Sequence, residues 1–589
     1  MNIFKHSFIL QINKLIIFVN REYNRNRNIG NSNKRIIIHF LKSHSLVKLF
    51  IRLSFIYLNF FSLIVYQNKI QNLEYRKFQK LIFFFKRIKI LQFIKIIELF
   101  HALLIIHHDA KENIRKKKIN KIQKIKNFYE NIVVGSGPAG SITANTLLDN
   151  NKDVLLIEKG NAIEHFELKH PGNELFSKWK NGGIASSIGN SQIQYASAEC
   201  MGGGSEINSG LYHEPDENFL YKWSKEFETK DLDFKNLEPL IKETKKKTNV
   251  SFLENSKNDI TDYLKKGALK NSWRLEEIPR WVFKEKNSYK KKSMMESYLK
   301  TYLSKDGHII PNTSLEKIKK KDSIWELTVI KNNIKNSVKC KNLFLCCGSI
   351  YSNFILRKNN LIKKKNNINF HPMIKVIVKF PKKINFLKSE IIPQQITEFV
   401  PDFIIGNAAS GLQFLKISSF NDENLYNEVI KDWEYMSIFH VTFSLGEGEV
   451  LKLPFIKDPV IKYKMTNKDL KIIKNGLEKL CKLLFDSGCE YIYPLIQNSK
   501  KLNNQSYIGF IESIKDLKKI NLSSVHILGG APMGEQKFCL TDSYGKVKGY
   551  NNLYINDSSL ICTKLLKNPQ GTVMAIALRN IENFIRNDK

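Results

Sequence analysis

The chain has 589 residues, 42% of them apolar, which is enough for more than one domain and too apolar for wholesale disorder. Eight cysteines are scattered with no Cys-x-x-Cys pair and no histidines at zinc spacing, so they read as reduced, mostly buried thiols, without a metal centre, in a cytoplasmic fold. The formal charge of +38 is uneven: residues 1–130 hold 26 Lys and Arg against 6 Asp and Glu. Such an excess suits nucleic acid or anionic lipid. However, Lys, Asn, Ile and Phe are over-used together, as in an AT-rich genome, and no nucleic-acid module accompanies them, so nucleic acid is not an expected partner.

In chain order, Met1–Asn20 carries Lys5 and Lys14 inside its apolar stretch and lacks a small-residue cleavage site, unlike a signal peptide. Leu49–Tyr66 is apolar apart from Arg52 and a few polar residues, and barely reaches the ~20 residues that span a bilayer. Phe78–His108 is apolar but interrupted by Lys80, Lys86, Arg87, Lys89 and Lys95, which reads as a basic amphipathic helix. Such a helix docks on a catalytic body or lies in a membrane interface. Lys111–Lys126 is a charged linker. Residues Asn131–Val134 then form a short buried strand, Pro138–Asp149 a helix and Val154–Ile157 a second buried strand, one βαβ unit. Leu343–Cys347 reads as another strand of that sheet and Ile374–Phe380 as a half-exposed one, with Asn467–Ser487 a helix; there are no internal repeats. The expected class is α/β. A basic, largely helical extension (1–127) precedes a Rossmann-like dinucleotide domain (128–365), an inserted mixed α+β substrate domain (366–520) and a return to the first domain (521–589).

Three blocks carry chemistry. Gly135-Ser-Gly137-Pro138-Ala139-Gly140 follows a strand and opens a helix, so its glycines suit a tight turn, a close approach to a pyrophosphate and helix–strand packing. The helix start offers amides and a positive dipole end to phosphates. Glu158 closes the next strand, placed to accept bonds from ribose hydroxyls. The second block, Met201 to Gly210, contains Gly202-Gly203-Gly204, costly in any regular element unless the bare backbone lies against a flat ligand, with Ser205 and Asn208 as hydrogen-bonding groups beside it. The third runs from His526 through Asp557 to Asn568-Pro569-Gln570-Gly-Thr572. There Asn568 reads as a helix N-cap and Pro569 as the first helical residue, and the dipole of that helix would stabilise negative charge on a reduced ring.

In these three blocks the chain resembles the glucose-methanol-choline oxidoreductases, FAD enzymes that oxidise alcohols, over about 129–589. The last block is similar to the long-chain alcohol oxidase and cholesterol-oxidase-like branch, where an Asn fills the second active-site position. The resemblance implies FAD as cofactor. It implies His526 as the acid/base for the substrate hydroxyl, Asn568 as its partner, and hydride transfer from carbon to flavin N5. It also implies Asp557 at the FAD phosphate–ribityl region and Gly203–Asn208 along the isoalloxazine. A histidine near its ordinary pKa of ~6.5 takes a hydroxyl proton at neutral pH. His213 and His371 read as structural. The chain departs from the pattern at Pro532, Glu214 and Lys567; the last would favour a polar or acidic substrate, or face solvent. A flavoenzyme acting on a sterol or lipid, and a non-catalytic flavin-binding or membrane-associated protein, are the competing readings. An alcohol, in the lead reading, and an electron acceptor (oxygen, a quinone or a carrier protein) are the implied partners.

Overall fold

The computed structural model describes residues 2–23, 32–88, 91–107, 125–162, 171–253, 259–285, 288–363, 367–384 and 393–587. Among its described residues the extension holds five α-helices: α1 (Asn2–Tyr23), α2 (Ser32–Lys42), α3 (Ser45–Tyr66), α4 (Tyr75–Arg87) and α5 (Leu91–His107). The single helix expected over Phe78–His108 is therefore two, and most of the charged linker lies outside the described residues. The helices close on their own aromatic core, in which Phe18, Phe40, Phe78, Phe85 and Phe100 are fully buried. Polar contacts tie this bundle to the rest of the chain. The His39 and His44 rings hydrogen bond to the carbonyls of Gly182 and Pro459 at 2.6 and 2.9 Å, and the Ser45 amide donates to Asp458 Oδ2 at 2.8 Å.

The first sheet has seven strands. Its parallel centre is β1 (Phe128–Val134) between β2 (Val154–Ile157) and the long strand Ile334–Leu345, which also pairs in parallel with Leu553–Ile555. Leu343–Leu345 thus belongs to this sheet as expected, while Cys346 and Cys347 lie past its end. β2 reads as one apolar run because it is buried on both faces, the usual state of a parallel strand under helices. Helix α6 (Pro138–Asp149) packs against β1, β2 and the C-terminal helix Gln570–Asn587, whose Met574, Ala577 and Ile581 join the same core.

A second sheet of eight strands contains, side by side, Met373–Lys379, Met436–Phe443, Phe403–Ala408, Gln394–Ile396 and Leu275–Glu277. Strands Ile193–Tyr195 and Leu275–Glu277 precede residue 366 yet pair into it, so a boundary at 365 does not follow the sheets. Helix Asn467–Ser487 has the expected limits, set by a Thr466/Asp469 capping box and by Gly488 in the left-handed region. The half-exposed strand expected over Ile374–Phe380 is Met373–Lys379, and it has no exposed residue. Ile374, Val376 and Val378 enter the core, Ile377 packs under the helices Leu412–Ser419 and Glu423–Asp432, and Lys375 faces a cavity.

Candidate active site

A cavity of about 2440 Å³ is lined by the C-terminal ends of β1 and β2, the Gly203–Gly204 turn, the start of the C-terminal helix and one face of the second sheet. Ligands of open α/β sheets bind at that end of the strands. Two glycine motifs meet there. A Cβ on Gly203, whose φ is +55°, would lie 2.6 Å from the Cα of Gly137, so both backbones are bare where they cross. Gly140 serves packing alone: its Cβ would lie 1.8 Å from the Gly135 carbonyl oxygen. No side chain caps α6, which leaves its first free amides to an anion.

Glu158 Oε2 accepts from the Ser136 amide and hydroxyl at 2.9 and 2.7 Å, and Oε1 from the Gly160 amide at 2.6 Å. Burial raises its pKa against those three bonds. Asp557, also raised by burial, accepts from the Gly348 amide, Ser352 Oγ and the Ser559 amide, and so holds the end of the central strand to the next helix. Asn208 Nδ2 donates to Gln570 Oε1 at 2.8 Å, which joins the second and third blocks. Gly135, Gly137, Pro138, Ala139, Glu158, Gly203, Gly204, Asn208, Asp557, Asn568, Pro569 and Gln570 all line the cavity, with His526. Ser205 and Thr572 do not. The Ser205 hydroxyl turns away, donating to the Gly202 carbonyl and accepting from the Met294 amide, and Thr572 is buried inside its helix.

The helix after Asn568 begins at Gln570, and the Pro569 carbonyl accepts its first bond, from Val573 at 2.9 Å. Asn568 is thus one residue too early to cap. Its amide N–H donates to His213 Nδ1 at 3.3 Å, and its side chain is left for the cavity.

His526 is paired. Strands Ile368–Phe370 and Ile527–Gly529 are antiparallel, with Phe370 opposite Ile527. One further step of that register brings His371 against His526, with their Nδ1 atoms 3.1 Å apart and the rings at 88°. His440 and His213 stand close enough for His526 to act on their charge. Burial pushes His526 down to about 4, away from the ordinary value expected for it, and His440 and His213 to about 3. Lys567 faces away from the cavity and pairs with Asp216 at 3.4 Å; Glu214 pairs with Lys245 at 2.6 Å. Neither side chain lines the cavity, although the Lys567 charge acts on His213. Sequence reasoning missed His371 as a partner, and His440 and Lys375 altogether. A Lys or His on an alternating strand resembles a solvent-facing residue until its neighbours are known.

Family models for GMC oxidoreductases match residues 129–373 and 454–577. The chain is 26% identical over 471 residues to an uncharacterized GMC-type oxidoreductase of Sinorhizobium fredii, covering 77% of this chain and 93% of that one. It is 22% identical over 497 residues to a long-chain-alcohol oxidase of Arabidopsis thaliana, covering 76% and 67%. Among solved structures it is similar to pyridoxine 4-oxidase from Mesorbium loti (TM-score 0.60, 12% identity, 78% of this chain and 99% of that one). It is also similar to formate oxidase of Aspergillus oryzae (TM-score 0.58, 13% identity, 78% and 98%). The two bare glycine backbones, the uncapped helix start and the acid at the end of β2 fit FAD, and with both family models matching around them, the protein belongs to the GMC oxidoreductases, FAD-dependent enzymes.

Proposed function

We propose that the protein oxidises an alcohol to an aldehyde or ketone, with His526 accepting the hydroxyl proton and Asn568 holding the oxygen. The observation that carries this reading is the arrangement of His526, His371 and Asn568 on the wall of the cavity that the glycine motifs open. Gly135–Ala139, Glu158, Gly203, Gly204, Asn208, Asp557, Pro569 and Gln570 are the residues proposed to hold the cofactor. When bound, FAD supplies the hydride acceptor, its N5.

The chain's own contribution is a defined proton position. In a bond between two Nδ1 atoms, one ring donates and the other accepts. The Leu565 carbonyl favours a proton on the His371 ring, and His371 Nε2 is the nitrogen of that ring without a regular partner. A proton on that Nε2 would make His371 Nδ1 the acceptor and His526 Nδ1 the donor. His526 Nε2 then carries a lone pair, the form a base needs. Asn568 can donate to the substrate oxygen without competing for its proton.

The test is an absorbance spectrum of the purified protein followed by anaerobic addition of alcohols. One class should bleach the flavin, and His526→Ala should slow bleaching by about 10²–10⁴-fold. A flavin spectrum unchanged by every alcohol refutes the reading.

The outer face of α3 supports a second element, contact with a membrane surface. Leu49, Leu53, Ile56, Phe60 and Ile64 follow helical spacing, and Ile56, Phe60 and Ile64 are 66%, 59% and 63% exposed. Its other face, with Ile51, Phe55 and Leu58, packs inward. α3 is the one helix among the described residues long and apolar enough to cross a bilayer. One-sided packing suits a helix lying in the interface rather than spanning it. Phe83 and Phe84 of α4 are exposed as well, as are Lys69, Arg76, Lys77, Lys80 and Arg87, cations that anionic headgroups would attract.

A further inference from the structure

One row of side chains crosses the second sheet on its cavity face. Lys375 is directly opposite His440, His440 opposite Gly406, and the next register step sets Gln395 beside Gly406. A Cβ on Gly406 would touch the His440 ring at 3.3 Å and Gln395 Cγ at 3.9 Å, so the glycine opens a slot in the floor between the two polar side chains. Lys375, His440, Gln395 and Gly406 all line the cavity. Among the described residues Lys375 has no carboxylate partner, and only burial acts on its ammonium. His440 Nδ1 and Gln395 Oε1 are likewise buried without a partner.

A neutral alcohol leaves that lysine uncompensated. Desolvating an ammonium with no counter-charge costs several kcal/mol. Two other lysines that line the cavity are ion-paired, Lys178 with Glu206 and Lys180 with Glu199, as is Lys379 on the same strand, with Asp432, while Lys291 donates to the Asn208 carbonyl. A substrate anion is the missing partner that the chemistry of the row calls for. Lys375 lies four residues along the chain from His371, ~13 Å of extended strand, and His440 stands within reach of both Lys375 and His526. The anion therefore sits several bonds from the carbon that is oxidised.

We infer that the substrate is an acidic alcohol, its carboxylate or phosphate held by Lys375 several carbon atoms from the carbinol that His526 serves. This rests on the alcohol-oxidation reading above and adds the substrate class.

The experiment uses the FAD-loaded full chain and anaerobic flavin bleaching. The probes are linear hydroxycarboxylic acids of increasing length, their methyl esters, the matching hydroxyalkyl phosphates and plain alcohols. The expected result is kcat/KM about 100-fold higher for an acid than for its ester, the scale of one enclosed charge pair. Preference for the carboxylate or the phosphate series identifies the group. In Lys375→Met the ratio of acid to ester should fall to near one, and in Lys375→Arg it should largely return; a purely structural role would lower both substrates together and leave the ratio. Equal rates for acid and ester in the unaltered protein, a comparison needing no variant, overturn the inference while leaving alcohol oxidation standing. If no alcohol bleaches the flavin, the alcohol-oxidation reading fails. Calorimetric binding of saturated carboxylates and alkyl phosphates against carboxylate methyl esters then decides whether Lys375 is an anion site: tighter binding of either anion, lost in Lys375→Met, supports it, and equal binding refutes it.

Discussion

Burial holds His526 down to about 4, where an ordinary histidine titrates near 6.5. The difference favours the neutral ring by roughly 3 kcal/mol, at about 1.4 kcal/mol per pH unit. His526, as the proposed base, therefore stays unprotonated throughout the range where a free imidazole is being lost to protonation. Flavin bleaching by a neutral alcohol, measured by stopped flow after a rapid jump from pH 7.5 so that it is read before any unfolding, should be level from pH 8 to about 5. It should decline only near 4. A limb between 6 and 7 would refute the reasoning. It would mean that water reaches the ring, or that another group governs proton removal.

His371→Phe removes the ring nitrogen that partners His526 Nδ1 and, with His526 as the proposed base, should slow bleaching by about 10–100-fold while changing KM little, with His371→Asn restoring part of the rate through its side-chain amide. His39 and His101 (about 4), His213 and His440 (about 3), and His371 and His526 are all buried with lowered pKa. The native state keeps them neutral while the unfolded chain takes up protons below 6.5. Each therefore removes about 1.4 kcal/mol of stability per pH unit as pH falls from 6.5 towards 3–4, and none above 6.5. The midpoint in urea should drop sharply between pH 6.5 and 5. Gly203→Ala, whose Cβ would lie 2.6 Å from Gly137, should purify with at least tenfold less flavin, whereas Gly509→Ala, with nothing within 4 Å, should not; flavin content per protein reads this directly. Ile56→Glu with Phe60→Glu should abolish flotation with vesicles containing anionic lipid and leave the flavin spectrum intact; unchanged flotation would remove the membrane reading.

The parts of the fold legible in the sequence were those whose signal is local. Strand, glycine turn, helix, strand and acid from 131 to 158 needed no distant contact to be seen, because each residue type answers to its own backbone or to a neighbour a few residues away. The third block was legible as chemistry but not as geometry. Asn568 suits a helix cap, and only the position of the first turn shows that Pro569 stands in the cap position and leaves the Asn568 side chain to the cavity. The His371–His526 pair depends on a strand pairing across more than 150 residues, and the Lys375–His440–Gly406–Gln395 row on four strands brought together by the fold. Lys567 drew attention because it adjoins Asn568 in sequence, yet the chain turns it towards Asp216, while Lys375, which does face the cavity, comes from a strand that alternates like a surface one.

The basic extension is also part of the site rather than an appendage. Lys42, Ser43, Ser45 and Lys48 line the cavity that His526 lines. The first turn of α3 is fixed to the catalytic body by Ser45 and Asp458, which bond in both directions at 2.8 and 3.2 Å, and by His44 on the Pro459 carbonyl. The exposed apolar stripe starts at Leu49, one turn beyond those anchors. A bilayer seated on that stripe would lie beside the cavity wall made by Lys42–Lys48, so an alcohol with an apolar chain could pass from lipid to His526 without crossing bulk water. On the membrane reading, the exposed lysines and arginines of the extension would draw an anionic surface to α3, and on the acidic-alcohol inference Lys42 and Lys48 would present cations to the substrate on its way to Lys375.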